Sequence, residues 1–158
     1  MPATHEFSES NLVGEVVQDG ITNLNLGSVD DHELNTTTYP ILRGDASFEK
    51  YIRAKFTGTF TEISNMKFWR SDVLGYKTGE TLKATANVAF ATPSATPNAD
   101  SDIPLNVGAS LAIQSAAGTT TIVAPGYTKY MRLQLRTTGS TPSGAVFQKT
   151  LTFQYDEI

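Results

Sequence analysis

The chain reads as an all-β domain, an antiparallel β-sandwich or jelly roll with an extended N-terminal arm, and three observations lead there. Apolar and polar side chains alternate over several short runs. β-Branched residues and glycines are spread throughout. No long window carries apolar residues at the i, i+3, i+4, i+7 spacing of an amphipathic helix.

Residues 1–47 are expected to be the arm and an irregular segment, and residues 48–158 the sandwich, within a single compact domain. The first segment holds polar runs such as Asn35-Thr36-Thr37-Thr38 and Val29-Asp30-Asp31-His32-Glu33. Ordering each residue costs about 1–2 kcal/mol, so an arm is stable only where something else supplies its partners. The other reading is a disordered tail. Phe7, Leu12, Val13, Val16 and Val17 have no obvious internal partner in such a segment and are the expected contact residues. Deleting residues 1–18 is then expected to leave the domain folded.

From about Phe48 the pattern changes to strands. Ile52, Ala54, Phe56, Gly58 and Phe60 share one face, with Arg53, Lys55, Thr57 and Thr59 on the other. Met66 and Phe68 oppose Lys67 and Trp69; Leu82, Ala84, Ala86, Val88 and Phe90 oppose Lys83, Thr85 and Asn87. Leu111 and Ile113 begin a strand that reverses through Ala117-Gly118 toward Ile122 and Val123. Met131, Leu133 and Leu135 alternate with Arg132, Gln134 and Arg136, and Leu151, Phe153 and Tyr155 with Thr152 and Gln154. The residues from Thr137 to Gly144 between these last two strands read as a loop.

One stretch interrupts the rhythm. Ala91 to Pro104 holds Pro93, Pro97 and Pro104 and almost no bulky side chains, so it is no central strand. Loops longer than about 12 residues in a compact domain are usually functional or disordered. Pro93 and Pro97 are therefore contact candidates, a solvated spacer being the alternative.

At 158 residues the chain has the size of one domain with a real core. It holds no cysteine, so disulfides and thiolate metal sites play no part. Met1 to Ser10 lacks the apolar run of a signal peptide, and synthesis in a cytoplasm is expected. Apolar stretches fall far short of the roughly 20 residues that span a bilayer, so no membrane partner is expected. The net charge is −4 without a basic cluster, which leaves little to neutralise a phosphate backbone; no nucleic-acid partner is expected.

Catalytic signals are weak. His5 and His32 are the only histidines, both in the irregular first third, and no Gly-x-Ser-x-Gly elbow is present. Asn98, Asp100 and Asp102, and separately Asp30, Asp31 and Glu33, offer oxygen ligands but lack the full calcium-loop pattern; solvated carboxylates are the simpler reading. No cofactor or metal site is expected. Arg43-Gly44-Asp45 matches an integrin-read tripeptide but is also turn chemistry. Trp69, with Tyr76, Tyr127 and Tyr130, offers a sugar-stacking platform, though a single tryptophan is more often core or interface. Glu62, Asp72 and Glu80 at strand ends share no spacing that a polysaccharide hydrolase would need.

Lys67-Phe68-Trp69-Arg70-Ser71-Asp72, the proline loop from Ala91 to Pro104, and Tyr130 to Leu135 leading to Phe147 through Glu157 together resemble small virion proteins of tailed bacteriophages. The similarity is to head proteins that decorate or cement a capsid and covers residues 48–158. It implies a non-enzymatic protein on the capsid surface of the virion that bridges subunits of the major capsid protein and self-associates as a trimer. Two other classes stand beside it: a receptor- or carbohydrate-binding module of a tail or fibre, and a cell-wall hydrolase.

Overall fold

The structure is a computed structural model and describes residues 2–72, 75–144 and 147–158. The elements are β1 (Thr4–Asn11), β2 (Val16–Ile21), β3 (Lys50–Thr57), β4 (Ile63–Arg70), β5 (Thr81–Val88), β6 (Ser101–Asp102), β7 (Leu111–Ala112), β8 (Gly126–Tyr127), β9 (Tyr130–Arg136) and β10 (Leu151–Glu157). A single 3-10 turn spans Val107–Ala109. All pairings between these strands are antiparallel. One sheet runs β2-β1-β3-β9-β5-β6, with β8 also on β3; the other runs β10-β4-β7. The two sheets pack as a sandwich, as the alternation predicts.

The core lies between the sheets. Ile52, Ala54 and Phe56 of β3, Leu82 and Ala84 of β5, and Met131, Leu133 and Leu135 of β9 point inward, meeting Ile63, Met66 and Phe68 of β4. The sets on β3, β5 and β9 have the period of two that places alternate residues on one face; on β4 the irregularity at Asn65 puts Met66 three positions after Ile63. Along β10, Phe153 and Tyr155 meet Phe7 and Phe56 edge-on, the centroids of Phe153 and Phe7 5.7 Å apart and those of Tyr155 and Phe56 5.0 Å apart.

Two asparagines at positive φ fasten the layers. Asn87 (φ 62°) sits at the register shift in β5; its Oδ1 accepts from Gln114 N–H at 2.7 Å and its Nδ2 donates to Ala112 C=O at 2.8 Å, joining β5 of one sheet to the β7 segment of the other. Asn65 (φ 50°) does the same within its sheet, donating to Asp156 at 2.9 Å beside the irregularity in β10. Asparagine tolerates this left-handed backbone better than most residues, so the bulges recruit it.

The extended arm is where the structure departs from expectation. Residues 4–21 form a β-hairpin, and β1 lies in the sheet between β2 and β3, in register from Thr4↔Thr57 to Ser10↔Tyr51. Ser8, Glu9, Ser10 and Asn11 are buried, which composition alone conceals because they are polar. The remainder of the first third is irregular, and Leu34 (3% exposed), Leu24, Leu26 and Ile41 are folded onto the core. Gly27 is required there: a Cβ on it would stand 2.3 Å from Leu34 Cδ2 and 2.7 Å from Tyr39 C=O. The 111–123 segment keeps its tight turn, Gly118 N–H donating to Ser115 C=O at 2.8 Å, but its two limbs pair elsewhere, Leu111–Ala112 with β4 and Ile122 with Ile63.

Candidate interaction surface

The tip of the β1–β2 hairpin is built on strained backbone. Leu12 (φ 62°), Gly14 (φ 89°) and Glu15 (φ 60°) all lie in the left-handed region. For the two non-glycine residues this costs on the order of 1–3 kcal/mol each. Asp30 offsets it: one carboxylate oxygen accepts from Asn11 Nδ2 at 2.8 Å and the other from Leu12 N–H at 2.6 Å. Glu15 is fastened from the other side, accepting from the Tyr130 hydroxyl and lying 3.7 Å from the Arg53 guanidinium. The turn is held from both flanks and does not depend on its own sequence for rigidity.

What this fixed turn presents is apolar. Leu12 is 45% exposed, Val13 82%, Val16 47% and Val17 40%. β2 is an edge strand, so the backbone beside these side chains lacks a sheet partner on one side. Covering an aliphatic side chain of this size is worth about 1.5–3 kcal/mol, so a protein surface that meets this tip gains several such increments without ordering it first.

Of the expected contact residues, Leu12, Val13, Val16 and Val17 are thus brought together at one place. Phe7 is not with them: it is half-buried against Phe153 and the core. Pro93 is buried and Pro97 exposed. Trp69 stands half-buried on β4 opposite Thr152, on the outward face of the smaller sheet, while Tyr127 and Tyr130 stack with Arg53 on the outward face of the larger one. The aromatic platform is therefore divided between opposite sides of the sandwich.

The 91–104 loop is no free spacer. It is strapped across the outward face of the larger sheet. Gln134 Nε2 donates to Ser47 C=O at 3.1 Å and to Thr96 C=O at 3.1 Å; Asn98 Nδ2 donates to Glu49 at 2.8 Å. Arg132 donates twice to Asp100, at 2.9 and 2.6 Å, and the Asp100 carboxylate holds the guanidinium more firmly charged. Asp102 is engaged by Lys83 at 2.5 Å. Asp100 and Asp102 are thus ion-paired, to Arg132 and Lys83, with the Asp102 side chain still 66% exposed to solvent.

Arg70 and Lys149, paired with Asp72 and Glu80, both lie over the Tyr76 ring. Among the described residues no three of His, Asp and Glu stand where they would hold a metal ion. His5 Nδ1 lies 3.2 Å from the Tyr155 hydroxyl, and His32 is 3.9 Å from Asp31. Glu62 precedes β4 while Asp72 follows it, at 3.2 Å from Arg70, and Glu80 faces Lys149 at 3.6 Å. Glu62 is thus separated by the length of β4 from Asp72. Arg43-Gly44-Asp45 is a turn, Asp45 N–H donating to Leu42 C=O at 3.1 Å with Gly44 at φ 84°.

No family model, curated protein or solved structure matches this chain.

The sequence contained a signal for the tip. Val13-Gly14-Glu15 lies between apolar residues, and glycine between two β-prone runs is hairpin chemistry. The polar residues of β1 obscured it. Their partners come from afar: Ser8 donates to Asp19 at 2.5 Å, and Glu9 meets Lys50 at 2.5 Å with both side chains 1% exposed. The Asp19 carboxyl is held below its ordinary value by hydrogen bonds from Lys55 and then Ser8.

Proposed function

We propose that this protein is a non-enzymatic structural component of a bacteriophage virion, a head decoration protein that stabilises the capsid by bridging subunits of its major protein. The observation that carries the reading is the rigid apolar tip of Leu12, Val13, Val16 and Val17, which serves as a contact with neighbouring subunits of the particle. A free edge strand beside it suits strand addition, a recurring mode of protein recognition. A ligand that binds only the assembled shell stabilises it by mass action and needs no chemistry of its own. The likeness of residues 48–158 to small head proteins points the same way.

Co-sedimentation with expanded capsids lacking the protein tests this. The protein is expected to bind in fixed proportion to the major capsid subunit, and Val13→Asp with Val17→Asp to lose at least tenfold in affinity, the equivalent of about 1.4 kcal/mol. Absence of binding to expanded and compact shells alike overturns the proposal in favour of a tail or receptor-binding module.

A further inference from the structure

The same end of the sandwich that carries the tip also carries a cleft. Register places them together: Ser10, one residue from the end of β1, is opposite Tyr51, Lys50 is opposite Leu133, and Leu82 is opposite Leu135. At that end a gap lies between these strands and Phe68 and Leu151 of the smaller sheet. The gap is a cleft of about 1170 Å³ with Leu82, Leu133 and Leu135 on its floor and Leu24, Ile41 and Leu42 on its wall. Leu42 is 64% exposed at its mouth. The floor leucines are at most 2% exposed, so the apolar surface the cleft offers lies at its mouth, Leu42 with Phe147, which is 48% exposed.

The charges at the two features are opposite. Asp30 and Asp31 flank the base of the tip, with Glu15 there facing Arg53 at 3.7 Å, and the Asp31 side chain is 50% exposed. Arg43 and Lys149 line the cleft, and Lys77 reaches its rim beside Gly144. Glu80, beneath Lys149, leaves that set net positive. An apolar knob ringed by carboxylates and an apolar hollow edged by cations are the two halves of one contact.

We infer that the hairpin tip of one molecule seats in the cleft of a second copy of this chain, an assignment that rests on the reading of the tip as a contact surface within an assembly. Because knob and hollow lie at the same end, one two-fold axis satisfies both at once: each copy gives its tip and receives its partner's, the isologous arrangement that closes on itself. Val13 meets Leu42 and Phe147 at the mouth of the cleft, and the carboxylates at the tip's base meet Arg43 and Lys77 at the rim.

The absence of cysteine from the chain makes a clean test available. Val13→Cys and Leu42→Cys are made as separate single variants, mixed and oxidised. A disulfide requires Cα atoms within about 7 Å, so the mixed pair is expected to cross-link at least tenfold faster than either variant alone. Sedimentation velocity of the unmodified protein is expected to show a concentration-dependent oligomer. Val17→Asp and, separately, Arg43→Glu are each expected to shift it to monomer that still melts in one cooperative transition, at the lower midpoint that loss of a bound partner brings. A monomer at every concentration overturns the inference, as does Val13→Cys linking to itself in preference to the mixed pair. The two readings fail separately: an oligomer that binds no shell leaves this inference standing and removes the proposed function, and a monomer that decorates shells does the reverse.

Discussion

Lys50 sits on the inward face of β3, in the alternation that otherwise places Ile52, Ala54 and Phe56 in the core. Its ammonium meets Glu9 at 2.5 Å and donates to Asp31 C=O at 2.6 Å. Desolvating both ions offsets most of their attraction, so the pair adds little net stability, but removing one partner strands the other. Lys50→Leu alone is expected to cost about 3–5 kcal/mol in urea denaturation, and the double variant Glu9→Leu with Lys50→Leu to recover most of it. Tyr130 gives a pH signature. Burial, and then its hydrogen bond to Glu15, pushes its hydroxyl up to about 12. The folded protein therefore keeps this proton while the unfolded chain releases it near 10. Stability is complete below about pH 10 and falls as pH rises toward 12. Tyr51, raised mainly by burial, acts in the same direction. Tyr130→Phe is expected to flatten the slope of urea midpoint against pH in this range, with Tyr51 accounting for what is left.

At the scale of elements, the 91–104 loop and the hairpin are both rigid for reasons outside themselves. The loop is fastened by Gln134, Arg132 and Glu49, which project from β9 and the start of β3, and its own sequence contributes chiefly Asn98 and Asp100. Gln134 is fully buried. Gln134→Ala leaves the carbonyls of Ser94 and Thr96 without this donor; such a loss costs about 1–3 kcal/mol. The expected outcome is a loop cut by protease at least fivefold faster, measured against the unchanged chain under native conditions. An unaltered cleavage rate removes Gln134 from this role. The strands themselves were legible from residue alternation in β3, β4, β5, β9 and β10, because each buries one face and exposes the other. The β5 alternation read through to Phe90 breaks, however, at the Asn87 bulge, and Phe90 lies against Tyr51 and Tyr130 on the outward face. β1 was not legible, since its buried end is Ser8-Glu9-Ser10-Asn11 and polar residues carry no periodic signal when their partners lie elsewhere in the chain.

The whole molecule is held by pairings distant in sequence. β1 joins β3, β9 joins both β3 and β5, and β4 pairs with β10 near the other end of the chain. Ala3 N–H even donates to Glu157 at 2.7 Å. Removing residues 1–18 therefore does not trim an arm. It takes away β1 and part of β2, leaves the edge of β3 unpaired, and strips Phe7 from the aromatic cluster. The truncated chain is expected to lose its cooperative thermal transition, whereas Val13→Asp with Val17→Asp is expected to melt within a few degrees of the parent, since exposed substitutions typically change stability by no more than about 0.5 kcal/mol. A truncated chain that melts cooperatively at the parent temperature overturns this account of β1.

The sequence by itself determined the all-β class and most of the inward faces of five strands, and it marked Leu12, Val13, Val16 and Val17 as apolar side chains, because alternation and apolarity are local properties. Only the tertiary structure decided that those four residues form one rigid tip, that the proline loop is strapped to the sheet, and that tip and cleft share an end. Each of these depends on a hydrogen bond or register between distant residues, Asp30 to Leu12, Gln134 to Thr96, Lys50 to Leu133. Such pairings leave no pattern in either partner's own neighbourhood; the chain must close on itself before they exist.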